Sequence, residues 1–230
     1  MKNNPLQEST HSTEIIDEKP TLLSTILSPL QNFEKLKQKP IIALPLIIIC
    51  LLQIIGTVIT AFALDTSVLL QGNVPEGTED FIITFSRITS IVGGVIAPLI
   101  YLLLSSSVQL FFSKFTDSDV TFKQLLSLNI HIMLIPIISL WINGLFKFFV
   151  DGSTPFYITS LGGFVEPNGS LFGLLNGIEI FAIWHFILRA KGLQIVAKLP
   201  KAYSWIIAFI FFAVLLIFNI INGSMLETIK

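Results

Sequence analysis

IIALPLIIICLLQIIGTVITAFA, Ile41 to Ala63, is an apolar run without a charged side chain. As a helix rising about 1.5 Å per residue it is long enough to cross a hydrocarbon core roughly 30 Å thick, which a soluble core helix rarely needs. Four more long apolar blocks follow, Ile88–Phe112, Leu125–Phe149, Leu171–Leu188 and Tyr203–Ile221, with Lys147 inside the second of these and Glu179 inside the third. The apolar share of 53%, the charged share of 13% and a mean hydropathy of +0.80 remove the chain from the soluble class. The expected fold is therefore all-α, a polytopic transmembrane helical bundle of five spans with a preceding amphipathic interfacial helix. Its expected divisions are a disordered tail over 1–20, the interfacial helix over 21–40, the five-span domain over 41–222 and a short outer segment over 223–230.

Lysine and arginine in the connecting loops set the expected orientation. Lys35, Lys37 and Lys39 precede the first span, Lys114 and Lys123 lie between the second and third, and Arg189, Lys191, Lys198 and Lys201 crowd the gap between the fourth and fifth. Loop one, Leu64 to Arg87, carries Asp65, Glu76, Glu79 and Asp80, and loop three carries Asp151 and Glu166 without a basic residue. The alternation places the N-terminus in the cytoplasm and the C-terminus outside. Tyr203 and Trp205, at the start of the fifth span, suit the headgroup zone. Loop three, Gly152 to Gly169, is rich in Gly, Pro, Ser and aromatic residues, a composition suited to folding back against the spans.

The lead-in has its own pattern. Ser28, Pro29 and Gln31 supply a capping-box start with proline at the first helical position. Leu30, Phe33 and Leu36 then form an apolar stripe opposite Glu34, Lys35, Lys37 and Lys39. That stripe suits a helix lying in the membrane interface or a simple lead-in to the first span.

A net charge of −1 leaves no basic footprint for nucleic acid. The lone Cys50 permits neither an intrachain disulfide nor a CxxC metal site. Glu179 is the sharpest polar candidate, because an ionised group in the middle of a span costs about 2.5–3.5 kcal/mol and must be protonated, paired or wet. Asn176, one turn earlier, is placed to hydrogen-bond it. Two readings stay open, a proton or substrate site and a protonated carboxyl that bonds another span for packing. His185, six residues on, lies about 120° around the helix and about 9 Å along it, so the two form no dyad. His131, at the entrance of the third span, has no Cys, Asp or Glu at ligand spacing, whereas a zinc protease motif needs two histidines one turn apart. No GxSxG, Walker-type loop or catalytic carboxylate pair occurs. The sequence thus predicts no enzyme, no metal and no cofactor.

Small and amide side chains recur at helical spacing. Gly169, Gly173 and Gly177 share one face of the fourth span, and Gly93 and Ala97 share one of the second, a pattern that lets another helix approach closely. Tyr101, Ser105 and Gln109 continue the second span, while Asn129, Pro136, Ser139, Asn143 and Lys147 line the third, with Pro136 expected to kink it. These stripes predict a bundle of spans two to four with a polar interior. They serve either an interaction protein that docks a partner's transmembrane helices or a channel or secondary carrier built around Glu179 and the polar faces.

Three stretches carry a family resemblance: SPLQNFEKLKQKP at Ser28 to Pro40, FKQLLSLNIHIMLIP at Phe122 to Pro136, and LLNGIEIFAIWHFILRAKGLQ at Leu174 to Gln194. In order and spacing they resemble the bacterial branch of the Yip (Ypt-interacting protein) membrane family, over roughly Leu22 to Gly223. The DLYGP motif ahead of the first span in eukaryotic members is absent, so the resemblance does not extend to Rab-type GTPase binding. Among bacterial members the chain resembles the small, YknW-like proteins that accompany ABC exporters of the MacB kind. That resemblance implies a bacterial cell membrane protein whose contacts are the lipid bilayer and an ABC exporter permease or its adaptor.

Overall fold

The computed structural model describes residues 18–63, 66, 70, 75, 77–150 and 152–228, with side chains as far as 225. Asp65, Glu76, Asp151 and nearly all of the expected tail lie outside the described residues. Among the described residues the chain is helical, without a strand. In chain order the helices are α1 (Ser24–Leu27), α2 (Pro29–Gln38), α3 (Ala43–Ala63), α4 (Glu79–Ser113), α5 (Phe122–Ile132), α6 (Leu134–Phe149), α7 (Gly169–Gly177), α8 (Ile180–Val196) and α9 (Lys201–Thr228). Four stretches are long and apolar enough to cross a membrane: α3, α4 with the turn after it, α5 with α6, and α9 as far as Met225.

The stretch formed by α5 and α6 is central, with 67% of its apolar window buried, and α4 is peripheral, with 11%. On the periphery Phe81, Phe85, Ile88, Val92, Ile96, Ile100 and Leu103 point outward, the surface a lipid-facing helix presents. The interruption of the third span falls at Met133, between α5 and α6. Pro136 explains it, because the missing N–H leaves the Ile132 carbonyl without its helical donor. One core cluster joins Ile49, Leu102, Ile130, Met133, Leu134 and Ile137, with Trp141 packed on it. The indole Nε1 of Trp141 donates to the Leu52 carbonyl at 3.0 Å, tying α6 to α3.

The lead-in differs from expectation. Ser28 makes no side-chain cap, although Pro29 does occupy the first turn of α2. The reciprocal capping box sits instead at Thr121 and Gln124, at the start of α5. Phe33 and Leu36 are fully buried, not against lipid but against Leu125, Leu128, Ile132, Leu188, Leu193 and Val196, while Leu30 stays exposed. Polar hooks fix this seat. Gln124 Nε2 donates to the Lys37 carbonyl at 2.6 Å and Ser127 Oγ to the Ile41 carbonyl at 2.6 Å, so α5 satisfies one carbonyl that the last turn of α2 leaves open and one in the link to α3. The buried Asn32 bonds Thr21 N, Thr21 O and Thr25 Oγ1 and folds α1 onto α2. Lys35 Nζ lies 2.6 Å from Glu18, and its hydrogen bond and charge hold that exposed carboxyl below the ordinary glutamate range.

Leu171–Leu188, expected as one continuous span, is two helices separated at Ile178 and Glu179, both extended or irregular in backbone. They lie end to end along α9. Gly173 and Gly177 of α7 face Asn219 and Leu216, and Gly169 faces Gly223, in the C-terminal half of α9. Phe186 and Arg189 of α8 meet Trp205, Phe212 and Phe211 in its N-terminal half. The pairing is antiparallel throughout. Residues 223–228, expected as a separate segment, continue α9.

Candidate functional site

The interruption between α7 and α8 is where the polar side chains gather. A helix broken inside an apolar environment must find other partners for its backbone groups. Here the strap between α6 and α7 supplies them: Leu161 N donates to the Ile178 carbonyl at 3.2 Å, and Ile180 N donates to the Thr159 carbonyl at 3.1 Å. Ser160 and Glu179 thereby form an isolated antiparallel bridge. Loop three folds back as a plug in the gap of a helix.

Glu179 ends this break, with φ −117° and ψ 157°, and its half-buried carboxylate turns toward α6 and the strap. Ser139 Oγ donates to it at 2.7 Å from Oε1 and 2.9 Å from Oε2, and Thr159 Oγ1 donates to Oε2 at 3.0 Å. Asn143 completes the group from one turn along α6. Its Nδ2 reaches the Ser139 carbonyl at 2.9 Å, Ser139 Oγ at 3.1 Å and Thr159 Oγ1 at 3.1 Å. The amide is 3% exposed, and its Oδ1 has no donor. Lys147, a further turn on, places its ammonium 6.0 Å from the centroid of the Tyr157 ring.

Asn176 does not join Glu179. Its Oδ1 accepts from Tyr157 N at 2.9 Å and from Ser160 Oγ at 3.0 Å, so it anchors the other end of the strap. The expected contact assumed a continuous helix, and the break removes the one-turn relation on which it rested. Thr159 was not singled out by sequence reading, and only the Gly, Pro, Ser and aromatic composition of its loop hinted at it.

The remaining candidates lie elsewhere. Asn129 and Gln109 form a reciprocal amide pair at 2.9 and 3.2 Å, with Asn129 Nδ2 also donating to Ser106 Oγ at 2.9 Å. This closed group is buried between α4 and α5. His131 is fully buried with Nδ1 donating to the Ser127 carbonyl at 2.7 Å, which fixes the tautomer and leaves Nε2 an acceptor without a donor. His185 Nε2 lies 3.3 Å from Arg189 Nη2. Arg189, read from the sequence as a loop charge, is 3% exposed. It bonds the Tyr101 hydroxyl and stands 4.4 Å from the centroid of Phe211, so an aromatic face and a hydroxyl receive this cation. Among the described residues it pairs with no carboxylate.

The small-residue faces divide. An added Cβ at Gly173 would lie 2.1 Å from the Asn219 carbonyl oxygen, so α7 and α9 touch through backbone there. Gly93 and Ala97, expected at a helix contact, are exposed, and a Cβ on Gly93 meets nothing within 4 Å. The close approach falls one residue on, where Gly94 faces Thr57 and its carbonyl accepts from Gln53 Nε2 at 2.9 Å. Among the described residues no group of three His, Cys, Asp or Glu side chains converges as a metal site would require.

Comparison with known proteins gives a consistent result. Residues 23–221 match the Yip1 domain family. The chain is similar to the membrane protein YknW of Bacillus subtilis (strain 168), 31% identical over 210 residues that cover 90% of this chain and 91% of that protein. No solved structure matches.

Proposed function

The chain belongs to the Yip1 domain family of membrane proteins, and from that premise we propose that it is a non-enzymatic scaffold that docks beside another membrane complex. In this reading it crosses the bilayer five times, with α7 and α8 together making the fourth crossing. The N-terminus lies in the cytoplasm of a bacterial cell and the C-terminus outside. The partner implied by the resemblance to YknW-like proteins is an ABC exporter permease or its adaptor.

The observation that supports a scaffold is the use of the interior polar groups. Gln109, Asn129 and Ser106 close on one another, Asn176 binds the strap, and Arg189 binds Tyr101, each linking separate segments of the chain. Interhelical bonds of this kind hold helices in register. Extraction in mild detergent followed by affinity purification tests the proposal. Retention of exporter subunits supports it, and a protein that runs alone at monomer mass from cells expressing the exporter refutes it.

A second reading, a channel or secondary carrier, is favoured by one observation, the carboxylate of Glu179 at an interrupted helix. In many carriers half-helix ends and unwound backbone form the substrate or ion site. Reconstituted liposomes decide it. Flux that Glu179→Gln abolishes supports a carrier, and the absence of flux removes it.

A further inference from the structure

We infer that Arg189, with Tyr101 and His185 beside it, receives the carboxylate of an aspartate or glutamate carried in mid-span by a transmembrane helix of another protein, and that this helix seats along Gly93 and Ala97 of α4. The inference rests on the reading of the chain as a docking protein and names the chemistry of what docks.

Arg189 is an uncancelled charge. It is 3% exposed, and among the described residues no carboxylate pairs with it. A guanidinium does not lose its proton in a protein, and a buried cation in a membrane calls for a partner. Its neighbours are a hydroxyl, an imidazole and the rings of Tyr101 and Phe211. These groups solvate the cation without bringing a negative charge. Its buried Nε has no acceptor at all.

The groups around Arg189 also present donors rather than acceptors. Tyr101 Oη accepts from Arg189 Nη2 and keeps its own hydrogen to give. His185 Nε2 faces the same Nη2 at 3.3 Å and accepts from it, which leaves the ring hydrogen on Nδ1. A hydroxyl hydrogen, an imidazole N–H and a guanidinium form a set that suits the two oxygens of a carboxylate. Tyr101 and His185 are only half-buried, so the group reaches the surface of the chain through them.

Depth decides which anion arrives. Tyr101 lies 13 residues from Ile88 and 11 from Phe112, and Phe211 lies 8 from Tyr203 and 10 from Ile221, so both stand near the middle of their apolar blocks. At about 1.5 Å per residue the cluster is roughly 12 to 20 Å from the ends of those blocks. A lipid phosphate stays outside a hydrocarbon core whose half-thickness is roughly 15 Å, whereas a spanning helix carries a side chain to that depth. A second copy of this chain does not supply the acid. Glu179 is the sole acidic residue in the five apolar blocks, and Ser139 and Thr159 already hold it.

The approach is open on α4. Ala97 and Gly93 precede Tyr101 by one and two turns, both are exposed, and a Cβ on Gly93 meets nothing within 4 Å. Small residues there let a second helix come close enough for a short acidic side chain to reach the Tyr101 hydroxyl. The stripe alone names no occupant, and the uncancelled cation at its end does.

The test places the full chain in phosphatidylcholine vesicles with a leucine- and alanine-rich transmembrane peptide that bears one central glutamate, and reads association by fluorescence energy transfer. The glutamate peptide should associate about tenfold more strongly than its glutamine twin. Arg189→Gln should erase that preference. Gly93→Leu, a change on open surface that should leave melting as in wild type, should erase it as well, whatever Arg189→Gln does to folding. Equal association of the two peptides with folded wild type overturns the inference, and so does a preference that survives Gly93→Leu. A preference that vanishes when phosphatidylglycerol replaces half of the phosphatidylcholine also overturns it, because a lipid phosphate then holds Arg189. Exporter docking is read separately, by affinity purification from cells expressing the exporter. Exporter subunits retained equally by wild type and Gly93→Leu leave docking standing and defeat this seat. A glutamate preference with no exporter subunit retained supports the seat and defeats the exporter reading.

Discussion

α4 and α7 carry small residues at the same four-residue spacing, Gly93 and Ala97 in one, Gly169, Gly173 and Gly177 in the other, yet only the second set touches a helix. At Gly173 the neighbour is backbone, the Asn219 carbonyl, and at Gly177 it is the Leu216 and Asn219 side chains. At Gly93 there is open space. Spacing therefore marks a face without saying what covers it. The glycines of α7 let it approach α9 at backbone distance, along the same helix that α8 meets through Phe186 and Arg189.

The sharpest way to break this comparison is Gly173→Ala. Backbone on both sides cannot yield, and the expected cost is about 3 kcal/mol, read as a Tm lower by roughly 10 °C. A melting point equal to wild type would mean that α7 and α9 do not touch there. Next comes Thr159→Val, which keeps shape but removes the hydroxyl that serves both Glu179 and Asn143. A loss of about 2 kcal/mol is expected, with faster proteolysis in the strap. Gly94→Ala should cost about 1 to 2 kcal/mol, because its Cβ would press on the Thr57 side-chain methyl at 2.5 Å. Thr57→Ala in the same chain should recover most of that loss, which a backbone clash would not allow. The smallest effect belongs to Gly93→Ala, which should stabilise by about 0.5 kcal/mol through helix propensity alone. A clear destabilisation there would reveal a neighbour that this chain does not contain.

The apolar blocks were legible because length and continuity decide whether a helix crosses hydrocarbon. The break was not. Apart from Asn176, Glu179 and His185, Leu171–Leu188 reads as one apolar block, and the side chains that meet Glu179 at its break lie at Ser139 and Thr159, 40 and 20 residues away in the chain. Glu179 stood out on cost alone, but its partners were assigned by the one-turn rule, which holds only where the helix is unbroken. For Gly93 and Gly94 the sequence offers adjacent glycines, and the choice between them depends on helix phase, which spacing leaves free. Phe33 and Leu36 pose the same difficulty. An apolar stripe looks alike whether lipid or protein will cover it.

That last stripe has a consequence for how the chain is made. Phe33 and Leu36 leave the ribosome early, whereas their seat is built from Leu125 and Leu128 and from Leu188, Leu193 and Val196, far later in the chain. Until then the stripe lacks the residues that cover it in the folded chain. α2 thus holds its place under α5 and α8 through contacts that are distant in sequence. Closing that seat is a long-range step that requires more than half the protein to have been made.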